Sequence, residues 1–111
     1  MGKFIIKTGK DGQRYFNLLA GNGESILSSE GYAGLTGCKK GIASVMKNGT
    51  DKTKFEKKKS KNGKFFFVLL AVNKQVIGKS EMYETEKACD NGIASVMRNA
   101  GNATIEIKPR A

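Results

Sequence analysis

The chain has 111 residues and a formal net charge of +10, with no histidine, no tryptophan and only two cysteines. Its length suffices for one compact core, and 39% hydrophobic beside 27% charged residues is typical of a globular protein. Without histidine, the common acid–base, nucleophilic and metal-binding arrangements are excluded, so we expect no enzymatic activity, no cofactor and no metal.

The first fifty residues predict three strands followed by a helix. Strands are expected over Lys3–Thr8, Arg14–Gly21 and Glu24–Ser29. The dipeptides between them, Asp11-Gly12 and Asn22-Gly23, are typical of two-residue type I′ hairpin turns. An apolar stripe at helical spacing predicts the helix and is formed by Leu35, Cys38, Ile42, Val45 and Met46. Asn48-Gly49 predicts a left-handed cap at the end of that helix.

The same pattern returns at a constant offset of 51 residues. Residues 4–49 align with 55–100 without a gap, and 21 of 46 positions are identical. The second copy predicts strands over Lys54–Lys59, Lys64–Val72 and Gln75–Ser80, with turns at Asn62-Gly63 and Asn73-Lys74. Its helix is predicted from Cys89, Ile93, Val96 and Met97, with Thr85 as N-cap and Asn99-Ala100-Gly101 as C-terminal signal. A last strand is expected over Thr104–Lys108.

The duplication predicts one α+β domain made of two tandem ββ(β)α repeats related by a pseudo-two-fold axis, with antiparallel sheets covered by two helices. Repeat one spans 1–50, repeat two spans 51–101, and 102–111 form a closing strand and tail. A unit of fifty residues buries little surface alone. Residues 65–70 are apolar on both faces of their strand, which is typical of a strand covered from two sides. We therefore expect the repeats to cover each other in a monomer.

Several short segments occur in a specific order and spacing. They are Lys10-Asp11-Gly12 and Asn22-Gly23 in repeat one and, in both repeats, the Ser-Glu-x-Tyr segments 29–32 and 80–83 and a Gly-Ile-x-Ser-Val run in the helix. In these features the chain resembles the YegP-like proteins, a bacterial family of unknown function. The resemblance implies tandem repeats related by pseudo-symmetry, a pairing that one-repeat relatives achieve as homodimers. It supplies no activity, so no catalytic residue is carried over, and Lys74 and the high lysine content depart from the family pattern.

A lysine cluster marks the first hairpin of repeat two. Its candidate polyanion contacts are Lys54, Lys57, Lys58, Lys59, Lys61 and Lys64. With the nearby phenylalanines they could bind single-stranded nucleic acid through phosphates and stacked bases. The alternative is that the phenylalanines belong to the core and the lysines form a solvated edge that prevents aggregation. A protein partner and a nucleic acid both remain open.

Two further features allow either a structural or a functional interpretation. Ser29, Glu30 and Tyr32, with Ser80, Glu81 and Tyr83, could be related ligand contacts or corner motifs that bind backbone before each helix. Gly41 and Gly92 interrupt the helices and predict a close approach to another backbone, a hinge being the alternative.

The remaining signals concern location. Cys38 and Cys89 lie within the helical apolar stripes, which favours reduced, buried thiols, although one disulfide between them stays open. Neither an apolar leader nor a run of membrane-spanning length is found in the sequence. We expect a cytoplasmic, non-enzymatic binding or interaction module, with weak polyanion binding through residues 52–64 as the alternative.

Overall fold

The computed structural model describes residues 2–108, and it confirms the α+β class and the pseudo-two-fold arrangement of the repeats. The predicted tail at 109–111 lies outside the described residues. Residues 2–108 form, in chain order, β1 (Lys3–Thr8), β2 (Arg14–Leu19), β3 (Ser25–Ser28), α1 (Leu35–Asn48), a 3₁₀-helix (Lys52–Lys54), β4 (Phe55–Lys59), β5 (Phe65–Leu70), β6 (Val76–Lys79), α2 (Glu86–Asn99) and β7 (Thr104–Ile107).

The four hairpins within these residues use three-residue loops, so the prediction of two-residue type I′ turns was wrong. Only the third residue of each loop has a positive φ, namely Gly12, Gly23, Gly63 and Lys74. The middle residue, an Asp or Asn, accepts a hydrogen bond from the backbone N–H two residues later, at 3.0–3.3 Å. Gly21 and Val72 belong to these loops, and the strands are one residue shorter at several other ends as well, so the predicted strands Arg14–Gly21, Glu24–Ser29, Lys64–Val72 and Gln75–Ser80 were too long.

All strands belong to one sheet, in the order β4-β5-β6-β3-β2-β1-β7. The three strands of each repeat are antiparallel, and the two sets join where β3 pairs with β6. Ser28 stands opposite Lys79 at this junction. Because these two residues are equivalent at the offset of 51, the pseudo-two-fold axis passes between them.

Both helices lie on the same face of the sheet and share one core with it. Phe16 and Phe67, fully buried and equivalent in the two repeats, belong to a single cluster of buried residues drawn from both repeats and both helices. On the other face, Phe66 and Leu70 are half-buried, and no helix within residues 2–108 lies over them. The prediction that the β5 strand is covered from two sides was therefore wrong.

Neither helix ends in a left-handed cap, which corrects the prediction from Asn48-Gly49 and Asn99-Ala100-Gly101. Gly49 (φ −68°) and Ala100 (φ −68°) both keep right-handed helical dihedrals. A Cβ at Gly49 would lie 2.8 Å from the Cβ of Ala100, so the two helices meet at their C-terminal ends. Gly49 thus serves a close approach of helices across the pseudo-two-fold axis. Thr85 is confirmed as an N-cap, because its side chain accepts from the N–H of Ala88.

The final strand extends the sheet beyond the two repeats. β7 pairs in parallel with β1, with Lys3 opposite Thr104 and Ile6 opposite Ile107. The strand predicted over Lys54–Lys59 begins one residue later, because Lys54 completes the 3₁₀-helix, and the predicted closing strand ends at Ile107. One edge of the sheet is therefore formed by β7 and the other by β4.

Candidate functional site

The sheet face opposite the helices, here called the open face, combines basic, aromatic and apolar side chains. The strand registers place alternate residues on it. Its members in repeat one are Lys3, Ile5, Lys7, Tyr15, Asn17, Leu19, Ser25 and Ser28, those in repeat two are Glu56, Lys58, Phe66, Val68, Leu70, Val76 and Lys79, and β7 adds Thr104 and Glu106. Ile5 (7% exposed) and Val68 (5%) lie on this face and are nevertheless buried.

The repeat places an aromatic ring opposite a lysine twice on this face. Tyr15 on β2 pairs across the strands with Lys7, and Phe66 on β5 pairs with Lys58. Three strand spacings and four residues along the strands separate the two rings, which puts them about 20 Å apart. The ammonium of Lys79 lies 4.9 Å from the centre of the Phe66 ring. The open face thus carries two equivalent aromatic–lysine pairs with a further lysine between them.

The ring of Tyr15 is held by a hydrogen bond to the first hairpin loop. Its hydroxyl donates to a carboxylate oxygen of Asp11 at 2.5 Å. This bond lowers the pKa of the Asp11 carboxyl and raises that of the Tyr15 phenol. Phe66 has no hydroxyl and makes no such bond, so the two aromatic positions differ in hydrogen bonding although they are equivalent in the repeat.

The centre of the open face is polar in repeat one and apolar or basic in repeat two. The amide nitrogen of Asn17 donates to the hydroxyls of Ser25 (3.0 Å) and Ser28 (2.9 Å). The equivalents of these three residues in repeat two are Val68, Val76 and Lys79. The face is therefore symmetric in its aromatic–lysine pairs and asymmetric between them.

Carboxylates neutralise only part of the charge of this face. Lys58 pairs with Glu56 at 3.0 Å, and Glu106 of β7 pairs with Lys3 and Lys108, each at 3.2 Å. Within residues 2–108, Lys7 and Lys79 form no salt bridge. The open face accordingly has a net positive charge.

The lysine cluster predicted at 52–64 does not form one surface. Lys57 extends to the helix side, where it bonds Glu86 (2.8 Å) and Asp90 (2.9 Å), and these contacts raise its pKa well above its ordinary value. The other members are dispersed: Lys58 lies on the open face, Lys59 stands over the Phe65 ring, Lys64 pairs with Glu84, Lys54 ends the 3₁₀-helix and Lys61 lies in a hairpin loop. Of the nearby phenylalanines, only Phe66 lies on the open face.

The Ser-Glu-x-Tyr segments form the corners between strand and helix. The hydroxyl of Ser29 accepts from the N–H of Phe16 (2.8 Å) and donates to the carbonyl of Glu30 (2.8 Å). Ser80, Phe67 and Glu81 repeat this arrangement at 2.9 and 2.8 Å. Both serine hydroxyls are thus hydrogen-bonded to backbone groups, which supports the structural interpretation of these motifs.

The tyrosines of these segments explain the helical glycines. Tyr32 stacks on Phe16 with an interplanar angle of 16°, and burial raises the pKa of its hydroxyl. A Cβ at Gly41 would lie 2.7 Å from Cζ of Tyr32, and one at Gly92 would lie 2.7 Å from Cζ of Tyr83. The predicted close approach is present, but it involves a tyrosine side chain. The expectation of an approaching backbone was wrong.

Neither a reactive thiol nor a metal site occurs in the described part of the chain. Cys38 and Cys89 are free and fully buried, and burial raises the pKa of both thiols. No group of three His, Cys, Asp or Glu side chains within residues 2–108 is arranged to hold a metal ion. No helix among these residues has the length and apolar character needed to cross a bilayer.

Sequence reasoning missed Lys7, Tyr15, Phe66 and Lys79 as surface candidates. The signal was available in part: an aromatic residue recurs at 15 and 66, and a lysine recurs at 7 and 58, across the same hairpin. Strand parity places each such pair on one face. What the sequence did not show was that this face is the one without helices.

Comparisons with known proteins agree with the fold and with the resemblance. The family model described as Domain of unknown function (DUF1508) matches residues 10–56 and 60–106. UPF0339 protein YegP of Escherichia coli K12 is 47% identical over 105 residues (95% of this chain and 96% of that protein), and UPF0339 protein MS1092 of Mannheimia succiniciproducens is 46% identical over 106 residues (96% and 94%).

Two solution NMR structures have the same fold. That of yegP from E. coli, described as a protein of unknown function, superposes with a TM-score of 0.91 at 46% identity and covers 96% of this chain and 92% of that chain. That of UPF0339 protein SO3888 from Shewanella oneidensis gives a TM-score of 0.89 at 43% identity, with 96% and 90% covered. None of these descriptions indicates a specific function.

Proposed function

The chain belongs to the DUF1508 family, and from its geometry we propose that it is a non-catalytic protein that binds single-stranded nucleic acid on the open face. One observation carries the proposal: the duplication places a ring and a cross-strand lysine at two equivalent positions of a positively charged sheet face without helices. The binding surface therefore differs from the predicted 52–64 cluster and shares with it only Lys58.

Single-stranded nucleic acid has the chemistry that these pairs can bind. Unstacked bases present π-faces to aromatic side chains, whereas the bases of a duplex are already stacked on each other. A lysine beside each ring can contact the phosphate of the stacked nucleotide. The roughly 20 Å between Tyr15 and Phe66 leaves room for several nucleotides, and Lys79 lies along that path.

The proposal includes a cytoplasmic monomer. Free, buried thiols at Cys38 and Cys89 are the state that a reducing compartment maintains. Each repeat supplies the other with the partner strand that a one-repeat protein would need from a second copy, because β3 and β6 pair within the chain. A protein partner is the second candidate, and the outer edge of β4 favours it.

Fluorescence anisotropy with a labelled oligothymidine tests the aromatic contribution. We expect the double variant Tyr15→Ala/Phe66→Ala to bind at least about tenfold more weakly, because base–aromatic stacking contributes about 1–3 kcal/mol per base. The dependence of affinity on salt should stay unchanged, since the lysines remain. Phe65→Ala, which removes a half-buried ring from the helix side of the same strand, is the matched control and should bind as the unmodified chain does.

The lysines are tested by salt dependence. Lys7→Gln/Lys79→Gln should reduce the slope of log affinity against log salt by about 1.4, because each phosphate that a lysine neutralises on a single strand adds about 0.7 to that slope. Lys39→Gln/Lys40→Gln removes the same charge from exposed positions of α1 and should leave the slope unchanged. Equal reductions in the two lysine variants, or no binding by the unmodified chain at low salt, would overturn the proposal.

A further inference from the structure

The outer strands of the two repeats are equivalent in sequence, but only one of them is paired with a further strand. β1 is the outer strand of repeat one, and β7 pairs with it in parallel. β4 is the equivalent strand in repeat two, and no strand within residues 2–108 pairs with its outer side. The occupied edge therefore shows what a strand at the unoccupied edge would contact.

At the occupied edge, backbone hydrogen bonds hold β7. The carbonyls of Gly2 and Ile6 accept from the N–H groups of Thr104 (3.2 Å) and Lys108 (2.9 Å). By the offset of 51, the carbonyl equivalent to that of Ile6 belongs to Lys57. An extended segment beside β4 would thus find an acceptor in the same position.

Side chains of β7 alternate between the two faces of the sheet. Glu106 lies on the open face and pairs with Lys3, whereas Ile105 is in register with the buried Phe4 and so lies on the helix side. The equivalents of Lys3 and Phe4 at the other edge are Lys54 and Phe55. A segment at β4 would place an apolar residue towards Phe55 and an acidic residue towards Lys54. The acidic residue would stand beside Glu56, which is the equivalent of Ile5 and whose charge is compensated by Lys58 at 3.0 Å.

The space beside β4 fits such a segment. Phe4 is fully buried, whereas its equivalent Phe55 is only half-buried. A groove between β4 and α2 is lined by Phe55, Ile93, Ala94 and Met97, with Lys52, Lys57 and Asp90 at its rim. Lys57 is already paired with Glu86 and Asp90. Lys52 and Lys54, at the start of this edge, form no salt bridge within residues 2–108.

We propose that the outer edge of β4 is a docking site for an extended, acidic segment of a partner protein, which adds to the sheet as a parallel strand in the way that β7 adds to β1. Main-chain hydrogen bonds to β4 would provide affinity for the segment, and the contacts of its alternate side chains would provide specificity. A second copy of this chain does not fit, since β4 beside β4 would bring two runs of Lys57–Lys59 together and β7 is already paired with its own β1.

Titration of the ¹⁵N-labelled full chain with a short peptide of alternating isoleucine and glutamate tests the site. We expect chemical-shift changes confined to β4 and the facing side of α2. A peptide of the same composition with its isoleucines grouped together should cause no such changes, because it cannot place apolar and acidic residues on opposite sides of a strand.

Charge reversal then separates this edge from the open face. Lys52→Glu/Lys54→Glu should weaken peptide binding about tenfold, as expected when complementary charges at a groove are removed, and should leave oligothymidine binding less affected than peptide binding. Lys39→Glu/Lys40→Glu makes the same change of net charge on α1 and should bind the peptide as before. Shifts on the open face, shifts nowhere, or equal weakening by both double variants would overturn the proposal, whatever the outcome for nucleic acid.

Discussion

The hairpin loops show how single residues decide local strain in this chain. In three of the four loops the residue with positive φ is glycine, which has no Cβ to clash in that conformation. In the fourth loop it is Lys74, with φ 68°. The backbone there follows the same path as at the other loops, with Lys74 N–H donating to the carbonyl of Ala71 at 2.8 Å. Lys74 is therefore a strained copy of an otherwise favourable turn.

We expect Lys74→Gly to stabilise the chain by about 0.5–1 kcal/mol. Relief of the left-handed conformation contributes about 1–2 kcal/mol, and the greater flexibility of glycine in the unfolded chain offsets about half of it. Denaturant unfolding measures the change. Gly23→Lys, at the equivalent turn of repeat one, is the matched control and should destabilise the chain. If both substitutions lower stability, strain at Lys74 is not the cause.

The position of every loop could be predicted from the sequence, but the loop length could not. Asp-Gly and Asn-Gly dipeptides occur in two-residue type I′ turns and also in three-residue loops that end in a left-handed residue. The difference lies in whether the residue before the Asp or Asn, such as Gly21 or Val72, continues the strand. That choice depends on the register of the paired strand, which no local pattern reports.

At the scale of an element, each helix is held to the sheet by a tyrosine that occupies the space left by a glycine. On α1, Gly41 faces Tyr32, and a Cβ there would also lie 3.2 Å from Phe16. Gly37, one turn earlier on the same helix, has its nearest neighbour, Tyr32, at 3.6 Å, an ordinary contact. Substitutions at these two glycines of one helix therefore distinguish the effect of helix propensity from the effect of packing.

Gly41→Ala should destabilise the chain by about 1–2 kcal/mol, because overpacking against the Tyr32 ring outweighs the gain of about 1 kcal/mol in helix propensity. Gly37→Ala should stabilise it by about 0.5–1 kcal/mol, since that gain is then unopposed. Thermal and denaturant unfolding of both variants check the pair. A stabilising Gly41→Ala would show that the tyrosine adapts freely and does not fix the helix.

The glycines and the tyrosines of this contact could both be singled out from the sequence, but the contact between them could not be predicted. Gly41, Gly92 and the two tyrosines stood out because they recur at the offset of 51. The helical pattern predicted which side of each helix is apolar, and it located α1 and α2 well. That the tyrosine at each corner folds under the following helix depends on packing between elements, and it was therefore found only in the structure.

At the scale of the whole molecule, the junction between the repeats is unequal in the size of its side chains. Leu27 and Gly78 are equivalent positions and meet across the β3–β6 junction. A Cβ at Gly78 would lie 2.6 Å from Cδ2 of Leu27, so the junction has no room for a leucine from both sides. Repeat one therefore fits repeat two better than it fits a copy of itself.

The sequence predicted the pseudo-two-fold pairing but not the single continuous sheet. The short strands β3 and β6 carry no pattern that selects each other as partners, and their pairing leaves one face of the sheet without helices. The open face is a consequence of this arrangement, and its residues come from all seven strands of the sheet, far apart in the chain. Its aromatic–lysine pairs are placed relative to each other only when the repeats fold together.

Native-state hydrogen exchange of the full chain, with and without Leu27→Ala, tests whether the two repeats form one cooperative unit. The substitution removes a side chain that is 1% exposed at the junction and should lower the free energy of unfolding by about 2–5 kcal/mol. We predict that the most protected amides of β2 and β5 lose protection by the same amount. Loss of protection in repeat one alone, with repeat two unchanged, would contradict the account.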